Sequence, residues 1–328
     1  MRSLITTSIF FFAIFCVNAQ TIERQVVGAA GGTFSNTNAS AEFTVGETAT
    51  TTLSDGTTTL SQGFHQESIQ LEIFIAPAVY LQGAALNPNT GQENLMRDDL
   101  RVAGLIPTTS PYADGVTCDA SIFNRSGATA IVDWVLVELR DKNDNTLVVR
   151  SQSALLQRNG NIIAADGDFV LTFNVGIDNY FVAIQHRNHL GIMTATAVLI
   201  DTSNVDFTNA NSQITFGSNA QTSSGMPNGI VGMWSGNVNG DTVVQYSGTT
   251  PDTPAILSAV LNDSGNFLNF PTFAIADYSN NDVNLDGIIQ YSGVSPDTPI
   301  ILQNVFAHPG NFLNFSTYQI MEQLPENN

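Results

Sequence analysis

Asp282-Val283-Asn284-Leu285-Asp286-Gly287-Ile288-Ile289-Gln290-Tyr291-Ser292-Gly293 repeats, 45 residues later, the stretch Asn237-Val238-Asn239-Gly240-Asp241-Thr242-Val243-Val244-Gln245-Tyr246-Ser247-Gly248. The alignment runs without gaps over residues 237–273 and 282–318, and 21 of its 37 positions are identical. Identity at that level over a fixed period is an internal duplication, not chance. Each unit reads as an acidic loop followed by a helix, over residues 254–261 and 299–306. The proline at each helix start suits a first turn, where its missing N–H has no bond to lose. Gly265-Asn266-Phe267-Leu268-Asn269-Phe270 recurs intact from Gly310.

Oxygen-bearing side chains at alternate positions of a short loop can wrap a hard cation. In the second unit Asp282, Asn284 and Asp286 stand at positions 1, 3 and 5, with Gly287 at 6 and the Ile288 carbonyl at 7. In the first, Asn237, Asn239, Asp241 and the Val243 carbonyl take the same places, and Thr242 replaces the glycine. These loops resemble the calcium loops of dockerin modules, a shortened relative of the EF-hand, and the resemblance implies calcium. Both depart from the pattern at position 12, where Gly248 and Gly293 stand instead of an acid. Asp252 and Asp297, four residues on, are the candidates to close a longer loop. The competing reading makes each of them a helix cap, and the loops metal-free Asx turns. The second loop has three carboxylates and an unstrained bend, so it is expected to bind calcium more tightly than the first.

Outward from the repeats, residues 202–235 read as a linker and 71–201 as a β-sandwich. Alternation around Trp134 marks a strand over 132–139, and further strands are expected over 146–156, 169–175 and 180–185. Residues 20–68 read as a small β module with turns at Gly31-Gly32 and Asp55-Gly56. It resembles a β module at the N-terminus of proteins exported by the type IX route, through Gly31-Gly32-Thr33-Phe34 and Leu60-Ser61-Gln62-Gly63-Phe64. Residues 1–19 read as a signal peptide, with Arg2, an apolar run and Val17-Asn18-Ala19 before the cut. The expected fold is therefore mostly β: a hairpin module, a sandwich and a dockerin-like repeat pair.

Composition bounds the partners. The chain has 10 Lys and Arg against 29 Asp and Glu, a net charge of −19, which argues against nucleic acid and anionic membranes and suits a divalent cation. No segment after the signal is apolar enough to span a bilayer. Once the signal is cut, Cys118 is the one remaining cysteine, so no internal disulfide can form and a monomer is expected.

The other reactive side chains carry less. His186-Arg187-Asn188-His189 places two imidazoles three apart, which in one strand would face opposite ways; a strand-end turn is the expected reading. Cys118 has no basic neighbour in sequence to activate it. Gly-x-Ser-x-Gly, His-Glu-x-x-His and phosphate-loop patterns are missing. Tyr112 and Trp234, where exposed, would be places for a sugar to stack, but single aromatics are more often packing. No catalytic residue is assigned.

Val132 to Arg140, Tyr180-Phe181-Val182 with His186 to Leu190, and Met233 to Asp241 together resemble the hemagglutinin-type secreted proteins of type IX-secreting bacteria. In those, a β-sandwich precedes a dockerin-like repeat pair. The resemblance implies an exported, non-catalytic adhesion or carbohydrate-associated protein, at the cell surface, outside the cell or in the periplasm, with a glycan or cell-surface ligand. The alternatives are a scaffold protein whose repeat pair docks a cohesin-like partner, and a polysaccharide-active hydrolase.

Overall fold

In the computed structural model, residues 30–35, 40–45, 53–54 and 59–60 are described by their backbone, and residues 72–200, 205–211 and 214–326 in full. The expected signal, residues 1–19, lies outside the described residues. The chain divides into two compact units, Met1–Ile69 and Gln70–Asn328.

In the first unit β1 (Ala30–Ser35) pairs antiparallel with β2 (Ser40–Val45), and β3 (Leu53–Ser54) with β4 (Thr59–Leu60). Gly31 and Gly32, expected in a turn, lie inside β1 opposite Thr44 and Phe43. Glycine can sit in an extended ladder as readily as in a bend, so Gly-Gly alone does not place a turn. The expected Asp55-Gly56 turn lies between β3 and β4, outside the described residues.

The second unit is mostly β and sandwich-like. β5 (Ile73–Ile75), α1 (Gln82–Ala85) and α2 (Asp99–Val102) precede the long β6 (Ile131–Asp141) and β7 (Val148–Gln157). β8 (Ile162–Ile163), β9 (Leu171–Phe173), β10 (Asn179–His186), β11 (His189–Met193) and β12 (Val198–Leu199) follow. The main sheet runs β11-β10-β6-β7-β8 with β12 also on β10, while β5 and β9 form a separate pair. Trp134 is fully buried and donates its indole N–H to the Pro107 carbonyl at 2.8 Å. The core around it includes Val135, Val137, Leu139, Leu155 and Ile184. Burying each such side chain contributes roughly 1.5–3 kcal/mol.

Residues 202–235, expected as a linker, are packed where they are described. Phe207, Met233 and Trp234 are buried, and β13 (Gln221–Thr222) pairs with β14 (Gly232–Met233). The sequence of that stretch is rich in Ser, Asn and Gly, which hides the few apolar anchors between them.

The repeats form an exchanged pair. β15 (Val243–Val244) of the first loop pairs with β18 (Ile320–Met321) after the second helix. β16 (Ile275–Ala276), after the first helix, pairs with β17 (Ile288–Ile289) of the second loop. Side chains repeat the exchange: Gln245 donates to the Thr317 carbonyl at 2.7 Å, and Gln290 to the Thr272 carbonyl at 2.8 Å. The helices α3 (Thr253–Asn262) and α4 (Thr298–Ala307) start one residue before the expected prolines, which lie in their first turns. Ile256, Val260, Ile301 and Val305 close a second core shared by both repeats.

The second repeat also rests on the sandwich. Asn304 and Gln82 exchange side-chain amide hydrogen bonds at 2.7 and 2.9 Å, and Leu285 joins the sandwich core. Arg140, ion-paired with Glu138 in the sheet, donates to the Pro325 carbonyl at 2.8 Å.

Candidate functional site

Each helix is preceded by a buried aspartate whose carboxylate turns back into the loop. Asp252 Oδ1 accepts the N–H groups of Val238 and Asn239 at 2.8 and 3.3 Å, and Oδ2 accepts that of Gln245 at 2.9 Å. Asp297 repeats this on Val283, Asn284 and Gln290 at 2.7, 3.3 and 2.9 Å. The helix-cap alternative is thereby corrected: both aspartates occupy the N-cap place, but neither side chain bonds a helix N–H. Their backbone is already helical there, with φ near −80°, so the carboxylate reaches the loop and not the helix end. Burial pushes the Asp252 carboxyl up to about 7 against the pull of its three amides. Burial and then neighbouring Asp282 push Asp297 well above the ordinary carboxylate range.

The alternate-position side chains line the same loops. In the second, Asp282 is fully buried and accepts the Asp286 and Gly287 amides at 3.1 and 2.9 Å. Asn284 Oδ1 accepts the Asp286 amide at 2.8 Å, and Asp286 Oδ1 that of Ile288 at 2.8 Å. Asp286 Oδ2 takes the Asn284 amide and the Ser295 hydroxyl at 3.0 and 2.5 Å. Burial raises Asp282 to about 7 although Arg187 pulls the other way. In the first loop Asn239 and Asp241 bond each other, and Asp241 Oδ1 accepts the Val243 amide at 3.0 Å. Asn237, at position 1, differs: it is 7% exposed and its Oδ1 has no hydrogen-bond partner.

Both loops demand left-handed backbone at positions 4 and 6. The first supplies Gly240 (φ 75°) and Thr242 (φ 66°), the second Leu285 (φ 55°) and Gly287 (φ 84°). The expectation that only the first bend is strained is corrected here, because Leu285 carries the same kind of strain. Its side chain is 1% exposed, and packing into the core offsets the backbone cost.

The donors are carboxylate, amide and carbonyl oxygens, the set a hard divalent cation takes. Among the described residues no group of three or more His, Cys, Asp and Glu side chains is gathered to hold a metal. Amide and carbonyl oxygens would therefore complete any shell. The buried, unpartnered Asn237 Oδ1 fits that requirement, because such an oxygen carries a desolvation penalty of about 1–3 kcal/mol until something pairs with it.

The histidine cluster lies at the foot of β10 and β11. His186 and His189 are a cross-strand pair on either side of the Arg187-Asn188 turn. The expected strand-end turn is present, but the imidazoles meet, Nδ1 to Nδ1 at 2.9 Å. Opposite facing holds only along one continuous strand, and the hairpin reverses the chain between them. His189 Nε2 accepts the Gly83 N–H at 3.1 Å, so its proton is on Nδ1, shared between Asn188 Oδ1 and His186 Nδ1. His186 then holds its proton on Nε2, facing Asp133 Oδ2 at 3.1 Å. Burial, outweighing the Asp133 contact at His186, pushes both imidazoles down and keeps them neutral. Burial opposes ionisation of Asp133, yet Arg187, His186 and Tyr278 outweigh it and hold its carboxyl at about 2. Arg187 Nε and the Tyr278 hydroxyl reach Asp133 at 3.1 and 2.6 Å, and Asn188 donates to the Asp282 carbonyl at 2.7 Å. The cluster is a structural tie from the sheet to the second loop. Asp133 alone among the apolar residues 131–137 was the available signal for it.

Of the two readings of the single aromatics, the structure shows packing. Trp234 is 2% exposed and donates to the Asn219 carbonyl at 2.8 Å, and the Tyr112 hydroxyl lies 3.3 Å from the Gln185 carbonyl. Burial pushes the Cys118 thiol up, the reverse of an activated nucleophile.

No family model and no curated protein matches the chain. Among solved structures, a type II cohesin–X-dockerin complex of Acetivibrio cellulolyticus, an N-terminal interface mutant, is similar at 19% identity. The alignment covers 52% of this chain and 79% of that one, with a TM-score of 0.27, too low to bear on fold or function. The chain is mostly β and carries an exchanged pair of acidic loop–helix repeats. Among the described residues no helix is long and apolar enough to cross a membrane.

Proposed function

We propose that the chain is an exported, non-catalytic adhesion or carbohydrate-associated protein whose repeat pair is stabilised by calcium. The observation that carries the metal is the buried Asn237 Oδ1, unpartnered at position 1 of a loop whose other alternate positions are Asn239 and Asp241. Burial disfavours the charged forms of Asp252, Asp282 and Asp297, a cost that a bound cation would compensate. Calcium would be held by Asp282, Asn284, Asp286, Ile288 and Asp297 in one loop and by Asn237, Asn239, Asp241, Val243 and Asp252 in the other. There it would supply charge compensation and rigidity. The buried histidine pair, with every ring nitrogen hydrogen-bonded, supports a structural role for the side chains that most resemble catalytic ones.

Thermal unfolding of the full chain in calcium and in a chelator tests the reading. Calcium should raise the melting temperature, with a saturable binding heat in calorimetry. An unchanged melting temperature without binding heat overturns it.

The second reading, docking of a cohesin-like protein through the repeat pair, is favoured by the apolar side chains both repeats expose.

A further inference from the structure

Each repeat ends its helix in the same rigid turn, and that turn holds apolar side chains out in water. Asn266 is buried, donates to the Val260 and Phe270 carbonyls at 2.7 and 2.9 Å, and accepts the Phe270 amide at 2.9 Å. Asn311 makes the equivalent bonds to Val305 and Phe315 at the same distances. Asn269 and Asn314 both take φ 55°. The turn thus presents Phe267, Leu268 and Phe270 in one repeat, and Phe312, Leu313 and Phe315 in the other. The leading phenylalanines are 82 and 81% exposed and the other four all exceed 50%. Clamping by asparagine accounts for the backbone, but the outward side chains contribute nothing to either core. Consecutive large apolar groups fixed in water are a solubility liability unless something covers them.

Charge says what covers them. From Asn188 to Asn328 the chain has no Lys or Arg, and Asp263, Asp277 and Asp286, none of them buried, lie in or between the repeats. A like-charged second copy and an anionic bilayer are both repelled by such a surface. A protein surface with apolar pockets rimmed by Lys and Arg is attracted to it, and buried aromatics are the usual anchors of such contacts. We propose that the paired Phe-Leu-Asn-Phe turns are the docking surface of the repeat pair, for a protein partner whose apolar pockets are rimmed by basic residues. This rests on the protein-docking reading of the repeats and is independent of calcium. The two turns are not equal. Asp263 accepts the Gly265 amide at 2.8 Å, whereas neutral His308 does the same for Gly310 at 3.1 Å. The first turn therefore has the greater attraction for a basic rim.

Three synthetic helical peptides test this on the full chain, one of Leu and Lys, one of Leu and Glu, and one of Ser and Lys, with phosphatidylcholine vesicles as a fourth probe. Binding is measured by fluorescence anisotropy or vesicle flotation, in calcium and in chelator. The Leu–Lys peptide should bind in both conditions and the other probes at least about tenfold more weakly. Phe267→Ser with Phe270→Ser should weaken that binding by about tenfold or more, and Phe312→Ser with Phe315→Ser by less. Asp263→Asn keeps an acceptor for Gly265 and should bring the two turns closer to equal, so the test survives if a serine pair unfolds. Equal binding of the Ser–Lys or Leu–Glu peptide, equal binding of vesicles, self-association in sedimentation, or indifference to Asp263→Asn overturns the proposal. Loss of the calcium response alone would leave it standing.

Discussion

The two acidic loops share a backbone and a clamp, yet they meet different surroundings. The second loop is turned toward the sandwich: Asn284 and Leu285 are buried, Asn188 holds the Asp282 carbonyl, and Asn304 locks onto Gln82. The first presents Asn239 and Gly240 to water and has Ala259 where the second has Asn304. In the docked loop every position-1 oxygen is satisfied by loop amides, whereas in the open loop Asn237 Oδ1 is not. The difference teaches that duplication preserved the clamp and the bend, while contact with the sandwich decided which side chains fill the remaining places.

The shared clamp is the feature whose loss should be felt most. Asp297→Ala leaves three loop amides without their acceptor and should cost about 3 kcal/mol or more, and Asp252→Ala should cost about as much. Chemical denaturation of the full chain reads both. A loss confined to Asp297→Ala would mean that docking, not the clamp, holds the second loop.

Calcium should separate the loops. With three carboxylates against two, the docked loop should bind more tightly, and a dissociation constant about a hundredfold below ambient calcium adds roughly 2.7 kcal/mol. Asp286→Ala should remove most of the calcium-induced rise in melting temperature, and Asp241→Ala less; the reverse order breaks the ranking. The sign of the pH dependence follows from the raised carboxyls. Without metal, ionising Asp252 and Asp282 costs stability as pH climbs from the ordinary carboxylate range through about 7. Calcium must displace the protons held below that point, so its affinity should fall as pH drops under 7, with protons released on binding. Calorimetry in buffers of different ionisation heat measures the release.

The smallest effect is at the bend. Thr242→Gly relieves a β-branched residue at positive φ on an exposed site and should stabilise the chain by about 1 kcal/mol. The same change at Leu285 removes a buried side chain and should destabilise. If both changes shift the melting temperature upward, docking contributes less than the comparison implies.

How much of this was legible depends on the range of each interaction. The repeats, both helix starts and the Trp134 strand could be read because they are written in local spacing. The carboxylates of Asp252 and Asp297 were singled out, but their turn into the loop depends on helical φ at the N-cap, which spacing does not reveal. The meeting of His186 and His189 needed the hairpin, and the strain at Leu285 needed the sandwich beneath it. The packing of Phe207 and Trp234 was hidden for the same reason, since their partners come from distant parts of the chain.

The exchange of strands between the repeats has a consequence in time. Val243 and Val244 find their partner only at Ile320 and Met321. A ribosome or an export channel delivering the chain in order therefore releases the first repeat long before it can be finished. Until residue 321 emerges, that half has an open edge and half a core, and closing it needs a contact of high sequence separation, which is slow. The first loop's strand is completed in one late step, so a chain cut before Ile320 would leave Val243 and Val244 without their partner while the pairing of residues 275–276 with 288–289 could still form.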